Sequence, residues 1–377
     1  MYQSPTFTIA ERYKDEILKE IPEIDAVLGT TSYDSIVEAV NTALEENTGE
    51  HFEHYESIDY LPDNSEVERV VTTGNHMAYL KIAEGCDKRC SYCIIPKIRG
   101  LLRCVPMQEL LNEAKRLASE GVKELVLVAQ ETTLYGKDLT GEKQLPLLLH
   151  ELCKIEGIEW IRLLYCYPEE ITDELIKVIK TEEKVCNYID MPIQHSENRI
   201  LQRMGRRTSR EDLVAVIKKL RKEIPDITIR TTLITGFPGE SQEDHEGLMN
   251  FVEECQFDRL GVFTYSPEED TLAATFEDQI DEEVKEERRD ELMSLQQEIS
   301  YEHTQQLVGK TIKVMVEGYL FEDDIYVGRS YMDAPKVDGC VFINSPEELM
   351  TGDFVYVKIT QGREYDVIGE VDYEFTK

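Results

Sequence analysis

From Met77 onward, short apolar runs alternate with amphipathic stretches, and this alternation constrains the fold more than any other feature of the sequence. Residues 79–82, 124–128, 161–164, 188–190, 228–234 and 259–263 read as strands. Residues 106–120, 147–154, 172–180, 209–223 and 241–255 read as helices between them. In the first helix, Met107, Leu110, Leu111, Ala114, Leu117 and Ala118 recur at helical spacing, and Gly121 is its stop. Ser209 with Asp212, and Ser241 with Asp244, have the spacing of capping boxes. Parallel strands need such crossovers, which are right-handed almost always. The economical architecture is an α/β fold, a partial barrel of six βα units, with its site at the carboxyl ends of the strands.

The flanks differ. Residues 1–60 give a short α/β pattern: a helix over 11–20, a strand over 24–28, and a helix over 33–45 with Ile36, Val37, Val40 and Leu44 on one side. This is too small and open for a complete α/β domain. Residues 51–75 are polar and punctuated by Pro62 and Gly74, so they read as a linker. Residues 277–291 hold nine acids against three bases, a solvated helix face in a helix that continues to about Leu307. After Gly309, β-rich runs at 311–316, 325–329, 341–343, 354–360 and 366–371 predict a small antiparallel barrel of five strands. The expected division is 1–60, a linker at 61–76, the βα barrel at 77–305 and the β-barrel at 306–374.

Charge limits the partners. With 41 basic and 76 acidic side chains the formal net charge is −35. Phosphate binders carry a basic face, so this balance argues against RNA and suits a basic protein. Between Gly309 and Lys377 there are 14 acids and 7 bases, which extends that reading to the terminal barrel. No apolar run reaches the roughly 18 residues of a membrane span, and the N-terminus lacks the order of a signal peptide. A cytoplasmic protein with no membrane partner is expected. Nine cysteines without an export signal predict reduced thiols rather than a disulfide framework.

Three of those thiols stand out. Cys86-Asp-Lys-Arg-Cys90-Ser-Tyr-Cys93 follows the first strand of the βα series directly, with Gly85 giving the backbone room to turn. Cysteine thiolates hold cubane iron–sulfur clusters. Three ligands to four irons leave one iron open, and an open position is where chemistry happens. Zinc on two of the thiols, closure of a four-cysteine site by Cys104, and fortuitous clustering are the alternatives. Cys153, Cys166, Cys186, Cys255 and Cys340 sit in apolar contexts and read as packing residues.

The CxxxCxxC pattern at the end of a first barrel strand, followed by six βα units, resembles the radical S-adenosylmethionine superfamily. The resemblance implies a 4Fe–4S cluster whose open iron is chelated by the amino and carboxylate groups of S-adenosylmethionine. It implies one-electron cleavage of the sulfonium, a hydrogen-abstracting deoxyadenosyl radical, and a place for Tyr92 near the adenine. EGCDKRCSYCIIPKIRG, LVAQETTLYGKD, LLYCYPEEITDELI, YIDMPIQHSENRILQRMGRR, RTTLITGFPGES, FDRLGVFTYSPEEDTLAA and GRSYMDAPKVDG agree in order and spacing with one branch. They resemble the methylthiotransferases that modify an aspartate of small-subunit ribosomal protein twelve, from about Ala10 to the C-terminus. The terminal barrel then corresponds to a TRAM domain. The sister enzymes that methylthiolate transfer RNA, and a non-catalytic ribosome-assembly binder on the same scaffold, are the competing readings.

Strand ends supply the further cofactor-binding candidates. Gln130 and Glu131 end the second strand, in reach of the amino group of S-adenosylmethionine, though many superfamily members have Gly-Gly-Glu there. Gln194 and His195 end the fourth strand and fit a barrel mouth. On a continuous helix Arg199, Arg203 and Arg206 would share a face and could meet a carboxylate. Thr232 and Gly236 end the fifth strand, where glycine permits close approach of a ligand. Phe263 ends the sixth and could wall the pocket.

The resemblance also implies an N-terminal domain with three cysteines that hold a second, sulfur-delivering cluster. No cysteine precedes Cys86 here, and the last family cysteine would fall near Thr8. The expectation is therefore an incomplete N-terminal domain, one cluster, and external sources of electrons and sulfur. It comes either as a shortened product of a gene whose full-length form is active, or as a variant that cleaves S-adenosylmethionine without inserting sulfur.

Overall fold

The N-terminal elements are α1 (Ile17–Glu20), β1 (Ala26–Leu28), α2 (Ile36–Leu44) and β2 (Phe52–His54). The computed structural model describes residues 10–14, 16–44, 51–61 and 70–374. The expected first helix is interrupted: residues 10–12 are helical and α1 resumes at Ile17. β1 and β2 pair in parallel, Val27 opposite Glu53, so a strand occupies the stretch read as linker. Residues 62–69 of that linker, Thr8 and Glu45 lie outside the described residues. Val37 is 67% exposed and Leu44 74%, so much of the apolar side of α2 faces water.

The βα series follows. β3 (Met77–Lys81) leads into a hairpin of β4 (Ala83–Glu84) and β5 (Arg103–Cys104), which brackets the short helix α3 (Ile95–Ile98). Then come α4 (Met107–Ser119), β6 (Glu124–Val128), α5 (Lys137–Thr140), α6 (Leu145–Cys153), β7 (Trp160–Leu163) and α7 (Asp173–Thr181). The second half holds β8 (Tyr188–Asp190), α8 (Asn198–Arg203), α9 (Arg210–Glu223), β9 (Thr228–Thr235), α10 (Gln242–Cys255) and β10 (Arg259–Thr264). Both capping boxes are present: Ser209 and Asp212 open α9, and Ser241 and Asp244 open α10. Thr172 caps α7 by accepting from Leu175 N.

Strands β3, β6 and β7 form one parallel sheet and β8, β9 and β10 another. A bridge between Ile161 and Val185 joins them into one wall of six strands in sequence order. The core between wall and helices is apolar, built on Leu80, Leu125, Leu127, Ile161, Ile189 and Leu233. Burial alternates along β9: Ile229, Thr231, Leu233 and Thr235 are buried, while Arg230, Thr232 and Ile234 are not. The second set shares its face with Asp190 of β8 and Phe263 of β10 by register. Helix α11 (Glu282–Gln305) closes the series. Its acids face solvent, but Lys285, Arg288, Leu292 and Gln296 are buried on its other side.

The terminal β-barrel comprises β11 (Thr311–Leu320), β12 (Ile325–Ser330), β13 (Val341–Asn344), β14 (Phe354–Gly362) and β15 (Val367–Val371), closed in the order β11-β12-β13-β15-β14. Its five strands lie where the sequence placed them. It is not wholly antiparallel, because β15 returns beside β13 in the same direction. The chain crosses the barrel to build β14 against β11 first, which fixes that direction.

The two barrels meet through buried charge. Glu124 of β6 is fully buried between Arg162 of β7 and Arg329 of β12. Asp338 pairs with Arg230 at 3.3 Å and accepts from the Tyr188 hydroxyl at 2.7 Å, while Asp333 pairs with Arg259 at 2.6 Å. Trp160 packs edge-on against Phe354, ring centroids 4.8 Å apart. Among the described residues no helix is long and apolar enough to cross a membrane.

Candidate active site

The cysteine loop hangs from the β4–β5 hairpin and is pinned at several points. Gly85 has φ +76°, and a Cβ there would overlap the Leu101 carbonyl. Cys86 N donates to Gly100 O at 3.1 Å, and Asp87 Oδ1 accepts from Leu102 N at 3.0 Å. Ser91 N donates to Met204 O at 2.9 Å, and its hydroxyl to Arg203 O at 2.7 Å. α8 ends in a Schellman motif: Gly205 N donates to Gln202 O and Arg206 N to Leu201 O. Gly205 (φ +74°) also lets the Arg89 carbonyl come within 2.8 Å of where a Cβ would stand. One glycine thus ends a helix and seats the loop.

Cys86 and Cys90 are buried, Cys93 is half-buried, and all three are free thiols. Burial pushes the Cys86 thiol up to about 12, opposed by the Lys88 N–H and reinforced by the charges of Glu131, Cys90 and Cys93. Burial likewise raises Cys93, against the Ile95 N–H. Thiolates so disfavoured form when a metal supplies the opposing charge. Among the described residues no three His, Cys, Asp or Glu side chains are grouped as round a single ion. Three soft thiols in one loop, close enough to feel one another's charge, are the donor type that iron–sulfur clusters take. Cys104 does not join them. Its sulfur accepts from Gly136 N at 3.2 Å behind β5, away from the loop.

A buried ionic cluster borders Cys86. Lys88 Nζ lies 2.5 Å from Glu170, 3.1 Å from Glu169 and 3.8 Å from Glu131. Glu131 is fully buried, bonded through Oε1 to the Thr133 hydroxyl, and its Oε2 has no hydrogen-bond partner. Burial raises its carboxyl to about 7, opposed by Thr133 and Lys88. Gln130 donates to Glu84 at 3.0 Å and leaves its own Oε1 without a partner. The two residues thus present orphaned acceptor oxygens where the sequence placed acceptors for an amino group.

Tyr167 links this cluster to the thiols. Its hydroxyl is 3.9 Å from Cys90 Sγ, and Lys88 and Arg206 lie 5.0 and 4.3 Å from its ring centroid. Neither Tyr167 nor Lys88 stood out in the sequence, although a lysine between two of the cysteines and the Tyr-Pro-Glu-Glu after the third strand were the available signals. Tyr92 packs edge-on against Phe237, 6.4 Å between centroids, in an apolar group with Ile200, Met204 and Tyr265.

The remaining candidates are placed differently. Phe263 is 61% exposed at the end of β10, and Thr232 is its neighbour on the same face. Gln194 has φ +72°, a strained backbone at the strand end. His195 is fully buried, its Nδ1 accepting from Glu197 N and its Nε2 3.5 Å from Glu240, so it is a bracing residue. The three arginines do not converge, because Gly205 ends α8 before Arg206. Arg199 goes to Asp244, Arg203 pairs with Asp278 at 2.6 Å, and Arg206 turns inward. Gly236 backs onto α11. A Cβ there would overlap the Lys285 methylenes, whose Nζ donates to Tyr265 O at 2.9 Å.

The Radical SAM superfamily model matches residues 80–252 and the TRAM domain model residues 308–371. Fold and site together define a radical S-adenosylmethionine enzyme, a transferase, with a terminal TRAM barrel. Ribosomal protein uS12 methylthiotransferase RimO of Lachnoclostridium phytofermentans is 58% identical over 367 residues, 97% of this chain and 82% of that protein. RimO of Desulfitobacterium hafniense is 50% identical over 366 residues, 97% and 81% of the two chains, and that of a Thermoanaerobacter species 48% over 369 residues, 98% and 83%. The chain belongs to this RimO family of methylthiotransferases.

Proposed function

We propose that this chain adds a methylthio group to the β-carbon of an aspartate in small-subunit ribosomal protein uS12, and that Cys86, Cys90 and Cys93 hold one 4Fe–4S cluster for the purpose. The observation that carries this is three free thiols in one pinned loop, near enough for Cys90 and Cys93 to act on Cys86, beside orphaned acceptors on Gln130 and Glu131. When bound, the cluster supplies one electron for cleavage of S-adenosylmethionine. The chain's own residues position the partners. Glu131 Oε2 and Gln130 Oε1 accept from an amino group, Tyr92 supplies an apolar wall, and Thr232 and Phe263 line the face open to the substrate side chain. Electrons and the transferred sulfur come from outside residues 1–377, whose cysteines begin at Cys86.

Charge favours a protein substrate over RNA. The terminal barrel carries twice as many acids as bases, and Glu322, Asp323 and Asp324 are exposed at its β11–β12 tip.

The test is anaerobic reconstitution with iron and sulfide, then reduction with S-adenosylmethionine and purified uS12. About four irons per chain and deoxyadenosine release are expected, the count set by one cubane. A count near eight, or a colourless zinc-loaded loop, overturns the cluster assignment. Tight, salt-sensitive binding of transfer RNA with none to uS12 overturns the substrate.

A further inference from the structure

Arg206 is buried and has no carboxylate at salt-bridge distance among the described residues; Glu169 acts on it only from farther off. Its Nη2 donates to Pro192 O at 2.8 Å, while Nε and Nη1 are buried without any acceptor. No carboxylate among the described residues pairs with it. A buried guanidinium in that condition is costly, because desolvation is not offset by a close opposite charge. The contrast with Lys88 is direct. Both cations lie against the Tyr167 ring, but Lys88 is neutralised by Glu169 and Glu170. Arg206 makes no such close pair.

What lies in front of it is the cysteine loop. The Tyr167 hydroxyl reaches Cys90 Sγ at 3.9 Å, and the Arg206 guanidinium stands 4.3 Å from the same ring. The Schellman turn at Gly205 aims Arg206 here while Gly205 itself backs onto Arg89, the residue before Cys90. The same turn therefore fixes both the thiol and the cation. Three thiolates and a cluster form an anionic group that becomes more negative by one charge on reduction. Hydrogen bonds, net charge and burial set the potential of such a group.

We infer that Arg206, acting with Tyr167, is a positioning residue that offsets the negative charge at Cys90 and raises the reduction potential of the cluster held by Cys86, Cys90 and Cys93. This rests on the cluster assignment proposed above. In the step concerned the cluster gains one electron from a low-potential donor, dithionite in the test, and no bond forms or breaks. The cation stabilises the added charge, and Tyr167 carries its influence to the sulfur through the hydroxyl.

The experiment is a potentiometric titration of the reconstituted protein followed by electron paramagnetic resonance, without S-adenosylmethionine, so that contacts to the nucleotide do not enter. Arg206→Met keeps an unbranched, flexible side chain, though a shorter one, and removes the charge. Its reduced-to-oxidised ratio at fixed potential should fall at least tenfold, which is 59 mV for one electron. Arg206→Lys should recover most of that loss, and Tyr167→Phe should show a smaller fall in the same direction. An Arg206→Met protein with full iron content and an unmoved potential overturns the inference while leaving the cluster assignment standing. If Arg206→Met does not fold, Tyr167→Phe decides, and an unchanged potential there overturns it. A wild-type protein that takes up no cluster removes the assignment itself.

Discussion

Arg329 of the TRAM barrel reaches across to Glu124 of the βα wall, Nη2 to Oε2 at 2.6 Å, with both side chains out of contact with water. Glu124 also accepts from Arg162 Nε at 2.8 Å, so one carboxylate serves two guanidiniums from two domains. Burial alone would raise Glu124, but Arg162 and Arg329 outweigh it and hold the carboxyl below its usual range. Removing one partner of such a set leaves a buried charge uncompensated. Glu124→Gln should therefore cost about 3–5 kcal/mol, read as a lowered urea midpoint. Double replacement by apolar residues, Glu124→Leu with Arg329→Met, should leave Arg162 and Glu317 without these partners and cost no less. A double variant as stable as wild type would show that the network contributes no stability.

The seat of the cysteine loop on Gly205 gives a second prediction. Gly141 (φ +82°) has nothing within 4 Å of a built Cβ, so Gly141→Ala tests left-handed backbone strain alone, about 1 kcal/mol. Gly205→Ala meets the same strain and also the Arg89 carbonyl, a backbone atom that cannot swing away. It should be the more destabilising of the two and should lower iron retention after desalting, whereas Gly141→Ala keeps its iron. Equal iron retention in both variants would mean that the loop does not depend on this contact.

These relationships explain what was legible in the sequence. The six strands were readable because each apolar run is bounded by a helix of clear period, and the boxes at Ser209 and Ser241 announce two of those helices. β2 escaped because Phe52 is the one large apolar residue in three. The hairpin of β4 and β5 escaped because two-residue strands carry no period. The thiols were legible from spacing alone. The environment of the thiols was not, since Tyr167, Lys88 and Arg206 come from three separate loops and meet only when the wall closes. The surroundings of His195 and Gly236 were hidden for a related reason: their neighbours, Glu240 and Lys285, arrive from later in the chain.

Glu131 gives a pH dependence of defined sign. In the folded protein its carboxyl titrates near 7 and its ordinary value is 4.5. Between these limits the folded state binds more protons than the unfolded state, so this group's contribution to stability falls as pH rises and is flat above both values. The loss is about 3 kcal/mol, from the two values and about 1.4 kcal/mol per pH unit. Glu131→Gln is neutral throughout. In metal-free protein it should gain stability relative to wild type between pH 5 and pH 8, read from urea unfolding at both. A difference between the two proteins that does not change with pH would mean that Glu131 is ionised in the folded state across the range.

The choice between a three-thiol and a four-thiol centre can be made with two single substitutions. Cys104 is buried behind β5, its sulfur accepting from Gly136 N, and burial raises its thiol to about 12. It therefore behaves as a small packing residue with one weak hydrogen bond. Cys104→Ala should cost about 1 kcal/mol of stability through lost packing and leave about four irons bound per chain. Cys93→Ala removes a ligand from the half-exposed end of the loop and should reduce bound iron severalfold, with little change in the stability of the metal-free protein, because no packing in the core is lost. Deoxyadenosine formation should follow the iron: retained in Cys104→Ala and lost in Cys93→Ala. If Cys104→Ala lost its iron as well, the fourth thiol would have to move to the loop when metal binds, and the open iron corner on which S-adenosylmethionine chelation depends would be closed.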